Sequence, residues 1–161
     1  MCFCASGIKK GNFYMIRLVA SDIDGTLLTS DGQITEGTKE MILNLEKKGI
    51  PFILTSARSP EGVRVIKRML GNHAPIIAFC GGLILDDDGN EIYSKMIPLK
   101  RALELKAMLD KDFPAVACNT FGGEKWIVDD RDDWREQREE KIVGFPAEIG
   151  SIKDTFETEG G

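Results

Sequence analysis

Histidine is nearly absent from this chain. His73 is the single histidine among 161 residues. It follows Gly71-Asn72 and reads as a loop residue rather than a catalytic base. The four cysteines, Cys2, Cys4, Cys80 and Cys118, have no Cys/His pair at zinc-ligand spacing to join. Cys80 and Cys118 lie in apolar stretches and are expected to be buried free thiols, which suits a reducing, cytoplasmic compartment. No apolar run approaches the roughly 18 residues of a membrane span. Residues 1–14 lack the apolar region and cleavage site of a signal peptide. Basic charge is in deficit: 21 Lys and Arg face 26 Asp and Glu, for a net charge of −5. That balance argues against nucleic acid or an anionic membrane as a partner. Repeats and low-complexity linkers are also missing.

What remains is an ordinary globular composition, 42% hydrophobic and 29% charged, enough for one domain or one and a half. Within it, Asp22-Ile23-Asp24-Gly25-Thr26 follows the apolar run Ile16-Arg17-Leu18-Val19-Ala20. Side chains alternate along a strand, so Asp22 and Asp24 would share one side and Ile23 the other. Ile23 would enter the core while two carboxylates face the crevice beyond the strand ends, where open α/β sheets bind ligands. Such a pair can supply a nucleophile and a proton donor. Gly25 permits a sharp turn, and N–H groups at Gly25 and Thr26 would form a small anion-binding concavity. A plain surface turn is the competing reading, but it does not call for an apolar strand in front of it.

Strands and helices then alternate. A helix starts at Thr35 as N-cap, presents Met41, Ile42 and Leu45, and stops at Gly49 after Lys47-Lys48. Residues 51–55 read as a second buried strand. Ser59-Pro60-Glu61 combines an N-cap, a first-position proline and an acid, and the helix it opens ends at Gly71. Residues 75–79 form a third strand. The alternation predicts a parallel sheet wrapped by helices. After Gly82 the character changes. Residues 83–85 and 91–93 flank Asp86-Asp87-Asp88-Gly89-Asn90 as an antiparallel hairpin. A calcium loop counted from Asp86 would need glutamate where Ile97 stands, so this acidic stretch reads as a turn. A helix over 99–112, strands over 116–121 and 125–128, and a polar surface helix over 132–141 complete the pattern. Gly122-Gly123 suits a tight turn between the two strands. Residues 150–161 read as a frayed tail.

The Asp22-x-Asp24-Gly25-Thr26 segment resembles the first motif of the haloacid dehalogenase superfamily of phosphatases. Leu54-Thr55-Ser56-Ala57-Arg58 resembles the second motif of its Cof-type subgroup, with Ala57 in place of the usual glycine. Phe79-Cys80-Gly81-Gly82 resembles the segment leading toward the cap, with Cys80 where asparagine is usual. The resemblance runs from about Met15 through Val143. It implies an α/β fold: a Rossmann-like parallel sheet with helices on both faces, the first half of a core, plus a partial α+β cap. The expected divisions are a disordered extension over 1–14, core over 15–97 and cap over 98–161.

The resemblance implies phosphoryl transfer through an aspartyl-phosphate on a small phosphorylated metabolite. Asp22 would be nucleophile and Asp24 general acid and base. The Asp22 carboxylate and the Asp24 carbonyl would hold Mg2+. Ser56, with N–H groups at Gly25 and Thr26, would bind phosphate. Arg58 would either bind phosphate or pair with a surface acid. Lys125, Trp126 and Asn119 are candidates to face substrate, with Trp126 equally a core anchor.

The family's third-motif lysine and fourth-motif acids come after the cap and have no counterpart here. Residues 129–133 instead read as a helix cap and solvated face. Such a chain should be marginal alone, or should self-associate through unpaired core edges. Two other readings stand beside the phosphatase. One is a catalytically incomplete remnant that binds phosphate or a partner without turnover. The other is a receiver-like domain, which Gly25-Thr26 and the hairpin fit poorly.

Overall fold

The computed structural model describes residues 3–10 and 13–156. The chain divides into two compact units, Met1–Ser94 and Lys95–Gly161, where the sequence suggested a division after residue 97.

The first unit is a mixed six-stranded sheet in the order β1-β2-β3-β4-β5-β6. Its strands are β1 Phe3–Lys10, β2 Phe13–Asp22, β3 Phe52–Thr55, β4 Ile76–Ala78, β5 Leu83–Leu85 and β6 Glu91–Ser94. The central three, β2, β3 and β4, run parallel. Parallel neighbours need long crossovers, and helices supply them: α1 Glu36–Lys47 joins β2 to β3, and α2 Pro60–Leu70 joins β3 to β4. Both helices begin as their sequences dictate. Thr35 accepts from the Thr38 N–H, and Ser59 from the Gly62 N–H, satisfying donors the first turn leaves open. Gly71 ends α2 in the left-handed region at φ 68°, where a side chain would be strained.

Burial alternates along β3 and β4, and Phe52, Leu54, Ile76 and Ala78 point into one core with Ile42, Val63, Ile66 and Leu70. Leu83 and Leu85 of the hairpin join that core. The acidic hairpin turn closes on itself, with Asp86 accepting from the Asn90 N–H and side-chain amide. Lys67 of α2 ties the turn down through Asp87 at 2.5 Å.

Residues 1–14 depart from the expected extension. Phe3–Lys10 pairs antiparallel with β2 over its whole length, with an irregularity between Ser6 and Gly7. The physical reason is the bare edge that β2 would otherwise present, since unpaired N–H and C=O groups recruit a strand. Residues 1, 2, 11 and 12 of that expectation lie outside the described residues. The two cysteines expected to be buried are also corrected: Cys80 is exposed and Cys118 half-exposed. Cys80 sits in a turn rather than in β4, which ends at Ala78.

The second unit carries α3 Leu99–Asp112, β7 Thr120–Gly122, β8 Lys125–Val128, α4 Trp134–Val143, β9 Glu148–Ile149 and α5 Ile152–Phe156. Its sheet has the order β7-β8-β9, antiparallel and then parallel. Gly123, at φ 57°, makes the tight turn between β7 and β8. The strand expected from residue 116 begins only at Thr120. The helix α4 is capped by Asp133, but it does not merely lie on the surface, because it buries Glu136 and Val143. The frayed tail is replaced over 152–156 by α5, with Ile152 buried and the Phe156 ring seated where a Cβ at Gly122 would be. Residues 157–161 lie outside the described residues. A small core forms from Trp126, Val128, Val143 and Ala147, with Phe121 and Phe145 packed against it. Among the described residues, no helix is long and apolar enough to cross a membrane.

Candidate active site

Three parallel strands end side by side. Asp22 is level with Thr55, and Thr55 is level with Ile77. This register makes the segments after β2, β3 and β4 emerge at one end of the sheet. These are 22–28, 56–59 and 79–82.

The first segment is anchored by Ile23, which is fully buried between an intermediate Asp22 and an exposed Asp24. Burying that side chain is worth about 1.5–3 kcal/mol and points the turn in one direction. The Ile23 N–H donates to Asp22 Oδ1 at 2.9 Å. Leu28 N–H donates to the Ile23 carbonyl at 3.1 Å and closes a wide turn. Inside it, Asp24 stays extended at φ −78°, ψ 124°, and Gly25 takes φ 71°. A Cβ at Gly25 would meet nothing within 4 Å, so conformation rather than crowding calls for glycine here.

The second segment is woven to the third. Ser56 N–H donates to the Ile77 carbonyl at 3.0 Å, and Cys80 N–H donates to the Ser56 carbonyl at 2.9 Å. Phe79 N–H donates to the Arg58 carbonyl at 3.0 Å. The Ser56 side chain is buried and accepts from the Arg58 N–H at 3.1 Å. Accepting uses an oxygen lone pair and leaves the hydroxyl hydrogen available to a ligand oxygen. Phe79 and Cys80 both lie in the left-handed region, at φ 49° and φ 54°. Consecutive non-glycine residues there carry strain, which sheet and loop hydrogen bonds hold in place.

Arg58 reaches back across the crevice. Its Nε donates to Asp24 Oδ2 at 2.9 Å and its Nη2 to Asp24 Oδ1 at 2.7 Å. Of the residues singled out from the sequence, Asp22 to Thr26, Ser56 and Arg58 thus gather at one end of the sheet. Arg58 forms an ion pair with Asp24. The candidates in the second unit fare differently. Trp126 is 2% exposed and serves that unit's interior, and its Nε1 donates to Oδ1 of the exposed Asn119 at 2.7 Å. Lys125 is exposed. Gly62 was not singled out from the sequence, although a glycine inside a good helix shortly after Arg58 was a usable signal.

Magnesium takes hard oxygen donors, often one or two carboxylates with water and substrate phosphate completing the shell. The Asp22 carboxylate and the Asp24 main-chain carbonyl are donors of that kind. Among the described residues, no group of three or more metal-ligating side chains occurs. The donors therefore fit magnesium in chemistry and cover part of its shell.

The family profile of the haloacid dehalogenase-like hydrolases matches residues 19–158. The chain belongs to this family. A relative from Haemophilus influenzae named "Putative phosphatase" is 35% identical over 126 residues, covering 73% of this chain and 48% of the relative. A phosphoglycolate phosphatase from Thermoplasma acidophilum is 40% identical over 76 residues, covering 47% of this chain and 34% of the relative. Among solved structures, a haloacid dehalogenase-like hydrolase from Bacteroides thetaiotaomicron shares the fold with a TM-score of 0.75 at 20% identity, covering 84% of this chain and 52% of that one. The chain spans about half the length of the curated relatives it matches.

Proposed function

We propose that the chain carries the phosphatase chemistry of its family, with a small phosphorylated metabolite as substrate and Asp22 as nucleophile. The observation that carries the reading is the convergence of Asp22, Asp24 and Ser56 at the ends of adjoining parallel strands, with the Arg58–Asp24 pair joining two of those ends. The phosphatase names of relatives such as those from Haemophilus influenzae and Thermoplasma acidophilum support the reaction class.

An oxygen of Asp22 attacks phosphorus, and the bond to the leaving oxygen breaks. Asp24, protonated at that point, gives its proton to the leaving oxygen. Water then attacks the aspartyl-phosphate, Asp24 takes the water's proton, and phosphate leaves with Asp22 restored. Ser56 Oγ–H and the N–H groups at Gly25 and Thr26 hold the phosphate oxygens. Magnesium on the Asp22 carboxylate and the Asp24 carbonyl would offset repulsion between two anions.

The test is magnesium-dependent hydrolysis of para-nitrophenyl phosphate by the purified chain. Turnover is expected to fall about 10³-fold or more in Asp22→Asn and to vanish with chelator. A folded chain without turnover would overturn the reading. The second reading is phosphate binding without turnover. It is favoured by the lack of a third metal-ligating side chain among the described residues. It predicts inorganic phosphate shifting the Gly25 and Thr26 amide resonances while no ester is cleaved.

A further inference from the structure

We propose that Arg58 is a positioning residue for Asp24 and does not bind the phosphate. The inference rests on the phosphatase reading, which makes Asp24 the proton carrier.

The geometry is a side-on fork, with Nε and Nη2 on separate oxygens at 2.9 and 2.7 Å. Two parallel bonds fix the plane of a carboxylate, which a single contact does not. The partners are unequally enclosed: the Arg58 side chain is 11% exposed and the Asp24 side chain 57%. The enclosed member sets the geometry, and the open member stays within reach of substrate and water.

Asp24 needs such a hold. It lies on a turn with open space around Gly25 and is itself exposed. An exposed aspartate samples several rotamers, and proton transfer needs one of them.

Arg58, by contrast, is seated from several sides. Its N–H is held by Ser56 Oγ, and its carbonyl accepts from the Phe79 N–H. Its aliphatic stem lies over the first turn of α2, where a Cβ at Gly62 would approach Arg58 Cβ at 3.2 Å and Cδ at 3.6 Å. Glycine inside a helix is unfavourable relative to alanine, and the close approach of this stem gives a reason for it.

The fork engages both Asp24 oxygens while the carboxylate stays open to solvent. Two of the guanidinium donors are thereby committed to Asp24, and the phosphate falls to Ser56 and the Gly25 and Thr26 amides.

Arg58→Gln and Arg58→Lys decide the matter, with inorganic phosphate plus magnesium as the probe and backbone amide resonances as the readout. Resonances outside 22–28 and 56–62 report whether each variant is folded, and Arg58→Lys keeps the charge and most of the stem. In both variants the Asp24 and Gly25 resonances are expected to shift and broaden, because neither glutamine nor lysine can form the fork. Phosphate affinity should stay within about twofold of the parent, since no phosphate ligand is removed. Where turnover is measurable, kcat should fall about 10²-fold with KM little changed, the signature of lost orientation. A loss of phosphate affinity of about tenfold or more in Arg58→Gln would make Arg58 a phosphate ligand and overturn the proposal. Unaltered Asp24 and Gly25 resonances would overturn it too. Absence of turnover in the parent chain counts against the phosphatase reading alone, and the resonance and affinity arms still decide what Arg58 does.

Discussion

The two units bury different chemistry. The first packs Ile23, Ile42, Leu54, Val63, Leu70 and Ile76 around its sheet, and its candidate catalytic carboxylates stand at the strand ends. The second packs an aromatic group in which Phe121 stacks on Trp126 at 5.3 Å and Phe145 meets Trp126 edge-on at 5.3 Å. Inside the second unit sits a carboxylate. Glu136 is 2% exposed; its Oε1 accepts a long 3.3 Å bond from Asn119, and its Oε2 has no hydrogen-bond partner among the described residues. The contrast separates two uses of polar groups. In the first unit, Ser56 and Arg58 are oriented by hydrogen bonds on rigid strand ends, so they can act on a ligand or on its neighbours. In the second, Trp126 and Glu136 are enclosed and linked through an exposed Asn119, and the incomplete satisfaction of Glu136 is a cost to stability.

The largest effects should come from emptying either core. Trp126→Ala is expected to cost the second unit about 3–5 kcal/mol, and Leu54→Ala to cost the first about 2–5 kcal/mol. Hydrogen exchange at β8 and at β3 reads each loss in its own unit. A cost below about 1 kcal/mol at either site would mean that the core relaxes around the cavity, and the contrast of two dense cores would break.

A pH series should sharpen the comparison, because Glu136 of the second unit and Asp87 of the first are displaced in opposite directions. Burial pushes Glu136 above its ordinary value of 4.5. The unfolded chain therefore releases that proton first as pH rises. The stability this group supports is fully present below about 4.5 and is lost as pH climbs through the raised folded value. Asp87 in the first unit runs the other way, held below 3.8 by its hydrogen bond from Lys67. Its contribution is present above that ordinary value and is lost as pH falls through the lowered one. Glu136→Gln is expected to raise the neutral-pH stability of the second unit by about 1–2 kcal/mol and to flatten its alkaline-side loss. Acid-side loss should persist in that variant, because Arg135 still holds Asp133 down to about 2. An unchanged denaturant midpoint across about pH 4 to 8 in the parent would show that Glu136 finds water.

The smallest expected effect tests the strained turn of the first unit. Cys80 lies at φ 54°, a region asparagine enters more readily than most residues. Cys80→Asn is expected to stabilise the first unit by about 0.5–1 kcal/mol, read from its denaturant midpoint. No gain would mean that the Phe79–Gly82 turn is held so firmly by Ser56 and Arg58 that the residue type hardly matters.

Much of this was legible because its causes are local. Thr35, Ser59 and Asp133 cap helices by bonding N–H groups two or three residues on. The apolar runs before Asp22, Ser56 and Phe79 form short strands whose inward and outward positions are set within a few residues. The motifs at 22–26 and 56–58 lie at the ends of those runs, so the location of the candidate site came directly from the strands. The α5 helix and β1 were not legible in the same way. Both have sequences without strong local signals, and each forms beside an element far along the chain or on an otherwise open edge.

Sequence alone determined the family, the parallel order of the central strands and the positions of Asp22, Asp24 and Ser56, because alternation, capping and glycine turns act over a few residues. Tertiary structure alone decided that Arg58 forks onto Asp24, that Gly62 makes room for its stem and that Glu136 is enclosed without a full set of partners. Those outcomes depend on which groups, such as Asp24 and Arg58 at 34 residues' separation, the folded sheet brings within 2.9 Å. No local propensity specifies such a meeting; the packing of strands and helices does.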